Sequence, residues 1–268
     1  MLLAEPDGAI AHPLRWCDPN GTPAGTRRSA CLPLTRDVEE AWHVELPGVV
    51  EAPLIYWGRE AYLICKSRDR RYLVAVDVLA GELLAKKRLP NGPPPLPVVW
   101  DGRVYLRSSP TEITEYRRAG GAFNRIWTHE PATTFVSDPI VFDSEIYAVA
   151  DGDLVRLTPR RRSPIWKTGV GNLRGRPALY GPHVYVLGTY QRAGYEPSMH
   201  VYVYQRDSGR MVLFKNASWY EKRTPPALRV PGEITVTETE VLVRGPAPLA
   251  TQGGSASHVM LDRSLRGD

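Results

Sequence analysis

The feature that most constrains this chain is a repeat, because a period of about forty residues decides the architecture before any single residue does. Three tryptophans open similar phrases: Trp42-His43-Val44-Glu45-Leu46-Pro47, Trp127-Thr128-His129-Glu130-Pro131 and Trp166-Lys167-Thr168-Gly169. Midway between the first two stands Ala85-Lys86-Lys87-Arg88-Leu89-Pro90, the same phrase with its tryptophan replaced, and Phe214 begins a fifth. The series 42, 85, 127, 166, 214 advances in steps of 43, 42, 39 and 48. Pro53, Pro97, Pro139, Pro177 and Pro226 keep phase with it, 11 or 12 residues behind each landmark. Tyr62, Tyr105, Tyr147 and Tyr185 follow the first four prolines by 8 or 9 residues.

Between proline and tyrosine the text is an apolar run, a turn and an alternating run. Val98-Val99-Trp100, Asp101-Gly102 and Arg103-Val104-Tyr105-Leu106 are one instance, and Ile140-Val141-Phe142 with Asp143-Ser144 begins another. That order predicts a β-hairpin. Runs such as Tyr72-Leu73-Val74-Ala75-Val76 and Val201-Tyr202-Val203-Tyr204 supply a third strand, and the tryptophan-led phrase supplies a fourth. Four short strands in such a period make one propeller blade, which cannot bury both its faces alone and stacks on its neighbours. The expectation is an all-β protein, a β-propeller of about five four-stranded blades. Residues 41–244 are read as the blades, 1–40 as a leader with a closing strand, and 245–268 as a loop with a last strand at Ser257–Asp262 that pairs with Glu240–Val243.

Ala75-Val76-Asp77-Val78-Leu79-Ala80-Gly81 resembles the Ala-x-Asp-x-x-Thr-Gly turn of the PQQ-like (quinoprotein-like, BamB-type) propeller repeat, a relative of the WD40-like blade. Ala80 stands where that family has Thr, and Ala85 where it has Trp four residues past the Gly. Arg206-Asp207-Ser208-Gly209 echoes the turn, and the stretch from Trp16 to Leu34 resembles the leader before a first blade. The resemblance implies a propeller and admits quinoprotein dehydrogenases, outer-membrane assembly scaffolds and domains without chemistry. Seven or eight blades are usual there. Five imply a small closed ring, an incomplete chain, or a ring completed by a partner or second copy, since an open sheet edge needs covering.

Composition bounds the rest. The 25 Pro and 23 Gly favour turns over long helices. With 34 Lys and Arg against 29 Asp and Glu, the net charge of +5 does not by itself imply a nucleic-acid partner. Cys17, Cys31 and Cys65 are odd in number and lack CxxC spacing, which argues against zinc or a disulfide framework. The N-terminus has no basic stretch leading into an apolar one, and no apolar run reaches membrane-spanning length. The chain as written is expected to be cytoplasmic, or periplasmic if the native N-terminus is longer.

No catalytic constellation stands out. The vicinal cysteines that the resemblance would require for a quinone site are missing, and Asp151-Gly152-Asp153 is read as a hairpin turn rather than a calcium site. His12, His43, His129, His183, His200 and His258 have no ligand spacing, although His43 and His129 fall at nearly equivalent repeat positions. Gly169-Val170-Gly171-Asn172-Leu173-Arg174-Gly175 precedes a strand expected at Pro177 and reads as an inter-blade connection, not a phosphate loop. No cofactor or metal is expected.

Two places are candidates for partner binding. Arg160-Arg161-Arg162 is the densest basic run; with Arg68, Arg70 and Arg71 and with Arg117-Arg118 it is expected in turns on one rim. The stretch from Thr189 to Ser198 carries Tyr190, Arg192 and Tyr195, residue types common in interface anchors. The expected function is a non-enzymatic scaffold for protein–protein interaction or assembly, with a protein partner and room for self-association. A quinoprotein-related enzyme binding a ligand or sugar, and a nucleic-acid-binding propeller using the arginine turns, are the alternatives.

Overall fold

The computed structural model describes residues 15–16, 42–52, 54–92, 95–129, 134–161, 163–169, 171–190, 198–216, 233–236, 240–244 and 258–262. Every regular element among them is a β-strand. The first sheet runs β1 (Arg15–Trp16), β3 (Ile55–Trp57), β4 (Glu60–Ser67), β5 (Arg70–Asp77) and β6 (Glu82–Arg88), with β2 (Val49–Val50) pairing with β4. The second is β7 (Val98–Trp100), β8 (Arg103–Ser109), β9 (Glu112–Ala119) and β10 (Ala122–His129). The third is β11 (Ile140–Phe142), β12 (Glu145–Ala150), β13 (Asp153–Leu157) and β14 (Trp166–Lys167). The fourth is β15 (Leu173–Tyr180), β16 (His183–Tyr190), β17 (Ser198–Gln205) and β18 (Met211–Asn216). β19 (Glu233–Val236), β20 (Glu240–Arg244) and β21 (His258–Asp262) make a three-stranded fifth. Apart from β1 and β2, which pair with β3 and β4, each sheet is a meander in chain order, the simplest way to pair neighbouring antiparallel strands. The chain divides into two compact units, one holding β1–β10 and the other β12–β21, with the boundary at β11.

The turns follow from their residues. Asp101-Gly102, Asp143-Ser144 and Asp151-Gly152 all have positive φ at both positions, between 50° and 82°. This is the twisted two-residue turn that Asp and Gly tolerate and that matches strand twist. Asp151-Gly152 joins β12 to β13, and the carboxylate of Asp153 accepts from the Gly171 amide at 2.7 Å. β15 starts at Leu173, four residues before the Pro177 expected to open it. Its pairing with β16 is irregular between Arg174 and Ala178, the stretch where Pro177 has no amide to donate. A bulge recurs at one place in the fourth strand of three blades, leaving Leu84, Ile126 and Val212 without a cross-strand partner.

Alternation places the tyrosine landmarks inside. Tyr62, Tyr105, Tyr147 and Tyr185 are all at most 7% exposed. In the first unit Ile55, Tyr62, Ile64, Leu73 and Ala75 of one blade pack with Val99, Val104, Leu106, Tyr116 and Phe123 of the next. On the opposite face of the first blade Ala61, Leu63, Cys65, Val74 and Val76 meet Val44 and Leu46. In the second unit Tyr185, Leu187, Val201 and Val203 pack against Ile234, Val236 and Val241. The first and second blades, and the fourth blade and the fifth sheet, thus bury a face on one another's side chains, and this burial is the main driving force for their stacking.

A directional contact sets the register of the stacking. The Trp42 indole donates to the carbonyl of Val78 at 3.1 Å and lies over Gly81, where an added Cβ would come within 2.6 Å of the ring. Trp166 does the same three blades on, donating to Arg206 O at 3.1 Å and covering Gly209, where a Cβ would meet the ring at 2.7 Å. The turn beneath Trp42 is held by the Asp77 carboxylate, which accepts from the Leu79 and Ala80 amides at 2.9 and 3.1 Å. Those bonds, with Arg59 beside them, hold its carboxyl below the usual range. In the fourth blade Gln205, not Asp207, fills the place of Asp77. Gly209 N bonds to Gln205 O as Gly81 N bonds to Asp77 O, each at 2.9 Å.

Beneath the tyrosines lies a second repeated device. Tyr62 donates to Glu60 and Tyr147 to Glu145, both at 2.6 Å, across the two-residue step that puts alternate side chains on one face. Arg118 of the next blade closes on Glu60, whereas Arg156 of the same blade closes on Glu145. Burial alone would raise the Glu60 carboxyl; Arg118 and the Tyr62 hydroxyl outweigh it and hold the group below its ordinary value. In the second blade the signs are reversed. Arg103 stands two before Tyr105, and its partner at 3.1 Å is Glu115, whose side chain is 1% exposed. The Tyr105 hydroxyl lacks the short bond to a carboxylate that its counterparts have.

Two outcomes are expected from these contacts. Gly209→Ala adds a Cβ at φ 69° beneath the indole and should cost about 2–4 kcal/mol in urea unfolding, whereas Gly58→Ala, with open space around it, should cost only the strain of positive φ, about 1 kcal/mol. An equal cost at the two sites would argue against the docking contact. Glu115→Arg should cost about 3 kcal/mol by setting two cations together in a buried place. The double exchange with Arg103→Glu should recover most of it and give the Tyr105 hydroxyl an acceptor; a double variant no better than the single would contradict the pairing.

Candidate functional site

The most developed surface feature is an aromatic knot on the fourth blade. Gly188 pairs with His200 and His200 with Asn216, while Val186 pairs with Tyr202 and Tyr202 with Phe214. These registers put His200, Tyr202 and Phe214 on one face. His200 and Phe214 stack at 4.3 Å with their planes 4° apart, and Tyr202 leans on Phe214 at 4.9 Å. Tyr190, at the end of β16, meets both His200 and Phe214 edge-on at 5.5 Å. Gly188 makes room for the cluster, since a Cβ there would come within 2.7 Å of the Tyr202 ring. Asn172 donates to the Tyr202 hydroxyl at 3.2 Å and to the Thr189 carbonyl, tying the connection before β15 to the end of β16. His200 is 5% exposed, whereas Tyr190 and Phe214 are 43% and 40% exposed. Aromatic faces of this size left in water while their far sides are fixed by packing are a pre-ordered apolar surface. Met211, on the same edge strand as Phe214, adds to it at 47%.

Of the residues expected to bind a partner, Tyr190 belongs to this knot. Arg192 and Tyr195 lie outside the described residues, as does Arg162. Arg160 and Arg161 sit exposed in the connection between β13 and β14, a third-to-fourth strand turn. Tyr190 stands at a second-to-third strand connection, and in an antiparallel meander those two kinds of turn lie at opposite ends of the strands. Arg160 and Arg161 are therefore not gathered with Tyr190. The expected arginine rim also needs correction. Arg117 and Arg118 are in strand β9, because Gly120-Gly121 makes the turn, and Arg118 is committed to Glu60. Arg71 lies in β5 and pairs with Glu51 and with Gly92 O. Arg68 remains in a second-to-third strand turn, not equivalent to that of Arg160.

The neighbours of Tyr190 that the sequence reading left out are His200 and Phe214. They come from different strands, so only the register of β16, β17 and β18 brings them together. Neither does the repeat make His43 and His129 alike. His43 is exposed, while His129 is 5% exposed and stacks on Trp127 at 5.7 Å. Among the described residues no group of three or more His, Cys, Asp or Glu is placed to hold a metal ion, and no helix is long and apolar enough to cross a membrane.

Comparison with known proteins addresses the scaffold carrying this site. No protein-family model and no curated protein matches the chain by sequence. Its structure resembles that of a europium-containing methanol dehydrogenase with a TM-score of 0.56 at 12% identity, over 94% of this chain and 55% of that one. The fold is a β-propeller. The chain spans about half the length of that dehydrogenase. BamB from Moraxella catarrhalis aligns at a TM-score of 0.43 and 13% identity, over 76% of this chain and 74% of that one. A quinohemoprotein alcohol dehydrogenase from Comamonas testosteroni aligns at 0.40 and 15%, over 88% and 36%.

Burial pushes the His129 imidazole below its ordinary value. A histidine whose folded value is depressed contributes stability that is complete above the unfolded value near 6.5 and is lost as pH falls below it. The urea midpoint should therefore fall between pH 7.5 and pH 5.5, and His129→Gln should flatten that fall. An unchanged slope in the variant would place the pH dependence elsewhere.

Proposed function

We propose that this propeller is a binding scaffold that takes a protein partner on the aromatic knot of its fourth blade. One observation carries the reading: Tyr190 and Phe214 are held rigid by the buried His200 and still offer about two-fifths of their surface to solvent. Rigid aromatics lose little side-chain entropy on binding and are the residue types that dominate protein interfaces. Tyr190 opens the segment that carries Arg192 and Tyr195, so the knot adjoins the longest interruption between two paired strands of that blade. Loops on rigid sheets are where propellers and other scaffolds carry recognition.

The test is native mass spectrometry of the protein isolated gently from its own cells. A second polypeptide at fixed stoichiometry is expected, and Tyr190→Ala with Phe214→Ala should remove it while leaving the circular dichroism spectrum intact. Arg160→Ala with Arg161→Ala, at the other strand ends, should keep it. A bare monomer, or a partner indifferent to the aromatic exchanges, would overturn the reading. A small bound mass without protein would turn attention to a quinoprotein-like ligand.

A further inference from the structure

Several cations of the first unit are ion-paired. Arg59 pairs with Asp77, Lys66 and Arg71 with Glu51, Arg103 with Glu115, and Arg118 with Glu60. Others, such as Arg68, Arg70 and Lys86, stand outside these pairs, and three more do so around one cleft. Lys87 and Arg88 at the end of β6 and Arg125 on β10 form no ion pair with any described residue, and all three are exposed. They line the same cleft, about 550 Å³ in volume, with Leu89, Pro90, Asn91 and Tyr116.

The cleft is built by two blades. Lys87, Arg88 and the segment to Asn91 form one wall. Arg125 and Tyr116, direct partners across the β9–β10 pair, form the other. Leu89 and Tyr116 are each 4% exposed and make a rigid apolar floor. Glu112, whose charge is felt at Tyr116, accepts the Thr114 hydroxyl at 2.7 Å. Like charges around a concavity with an apolar floor repel one another and concentrate positive potential inside it. The walls offer donors in the Arg125 guanidinium fork, the Lys87 ammonium and the Asn91 amide, a set matched to anionic oxygens. The volume is that of a small-molecule site.

We propose that this cleft binds a small molecule carrying at least two anionic oxygen groups, one held by Lys87 and the other by Arg125. Two groups are required because the cations stand on two walls. The site is in the first unit and does not depend on the aromatic knot of the fourth blade.

Titration calorimetry at about 150 mM salt, near the physiological Debye length, tests it with inorganic pyrophosphate as the phosphate probe and citrate as the carboxylate probe. At least one should bind with a Kd below about 1 mM, and the tighter of the two identifies the anionic group. Arg125→Gln and Lys87→Gln should each weaken that binding about tenfold or more, as expected for loss of a charge-assisted bond. Arg68→Gln with Arg70→Gln, which removes twice that charge from an exposed turn region of the same unit, should leave it within about twofold. The proposal is overturned if neither probe binds, if the Arg68 and Arg70 exchange weakens binding as much as Arg125→Gln, or if only a long polyanion such as polyglutamate or an oligonucleotide binds.

Discussion

The structure depends on an indole laid over a glycine. A blade has two faces and a narrow edge, and burying apolar area alone would let neighbouring blades slide over one another. The Trp42 and Trp166 contacts fix that freedom, because the ring needs a residue without Cβ beneath it and a carbonyl at hydrogen-bonding distance beside it. Both requirements are met by one tight turn between the third and fourth strands, whose own amides are held by Asp77 or by the Gln205 backbone. A directional bond and a steric fit thus locate a surface that hydrophobic burial only holds together.

Much of this was legible in the sequence because it is periodic. Tryptophan, proline and tyrosine kept phase, and each marks a position with one physical demand: docking, strand entry or core. The Asp-Gly and Asp-Ser turns were readable for the same reason, since positive φ at two successive residues restricts the choice. What was not legible depends on register. Arg117 and Arg118 read as a turn by composition, yet the glycine pair just beyond them turns the chain and leaves them in β9. The aromatic knot draws on three strands, and residues 190, 200 and 214 share no spacing that identifies a common face until the pairing is known. The Lys87–Arg88–Arg125 cleft was hidden by ordinary surface lysines and arginines, whose lack of counter-ions is a spatial property.

The two surfaces that stand out differ in kind. The knot is apolar, raised and braced from behind, which suits a broad partner whose own aromatic or aliphatic groups can be desolvated against it. The cleft is concave and cationic, which suits a small ligand that arrives charged. Each lies on elements whose backbone is paired and whose floor is buried, so neither needs a large rearrangement before binding. Carrying recognition on side chains while the strands repeat is the general advantage of repeat architectures.

The reversed pair at Arg103 and Glu115 has a consequence for folding. Repeated units resemble one another, and a chain made of them risks joining the wrong neighbours while it collapses. Blades one and three carry a glutamate two residues before the buried tyrosine; blade two carries an arginine. A blade with an arginine at that place could not take the first blade's seat beside Arg118 without setting two cations together. The altered sign therefore works as an address, telling one nearly identical unit from the next at the moment of assembly.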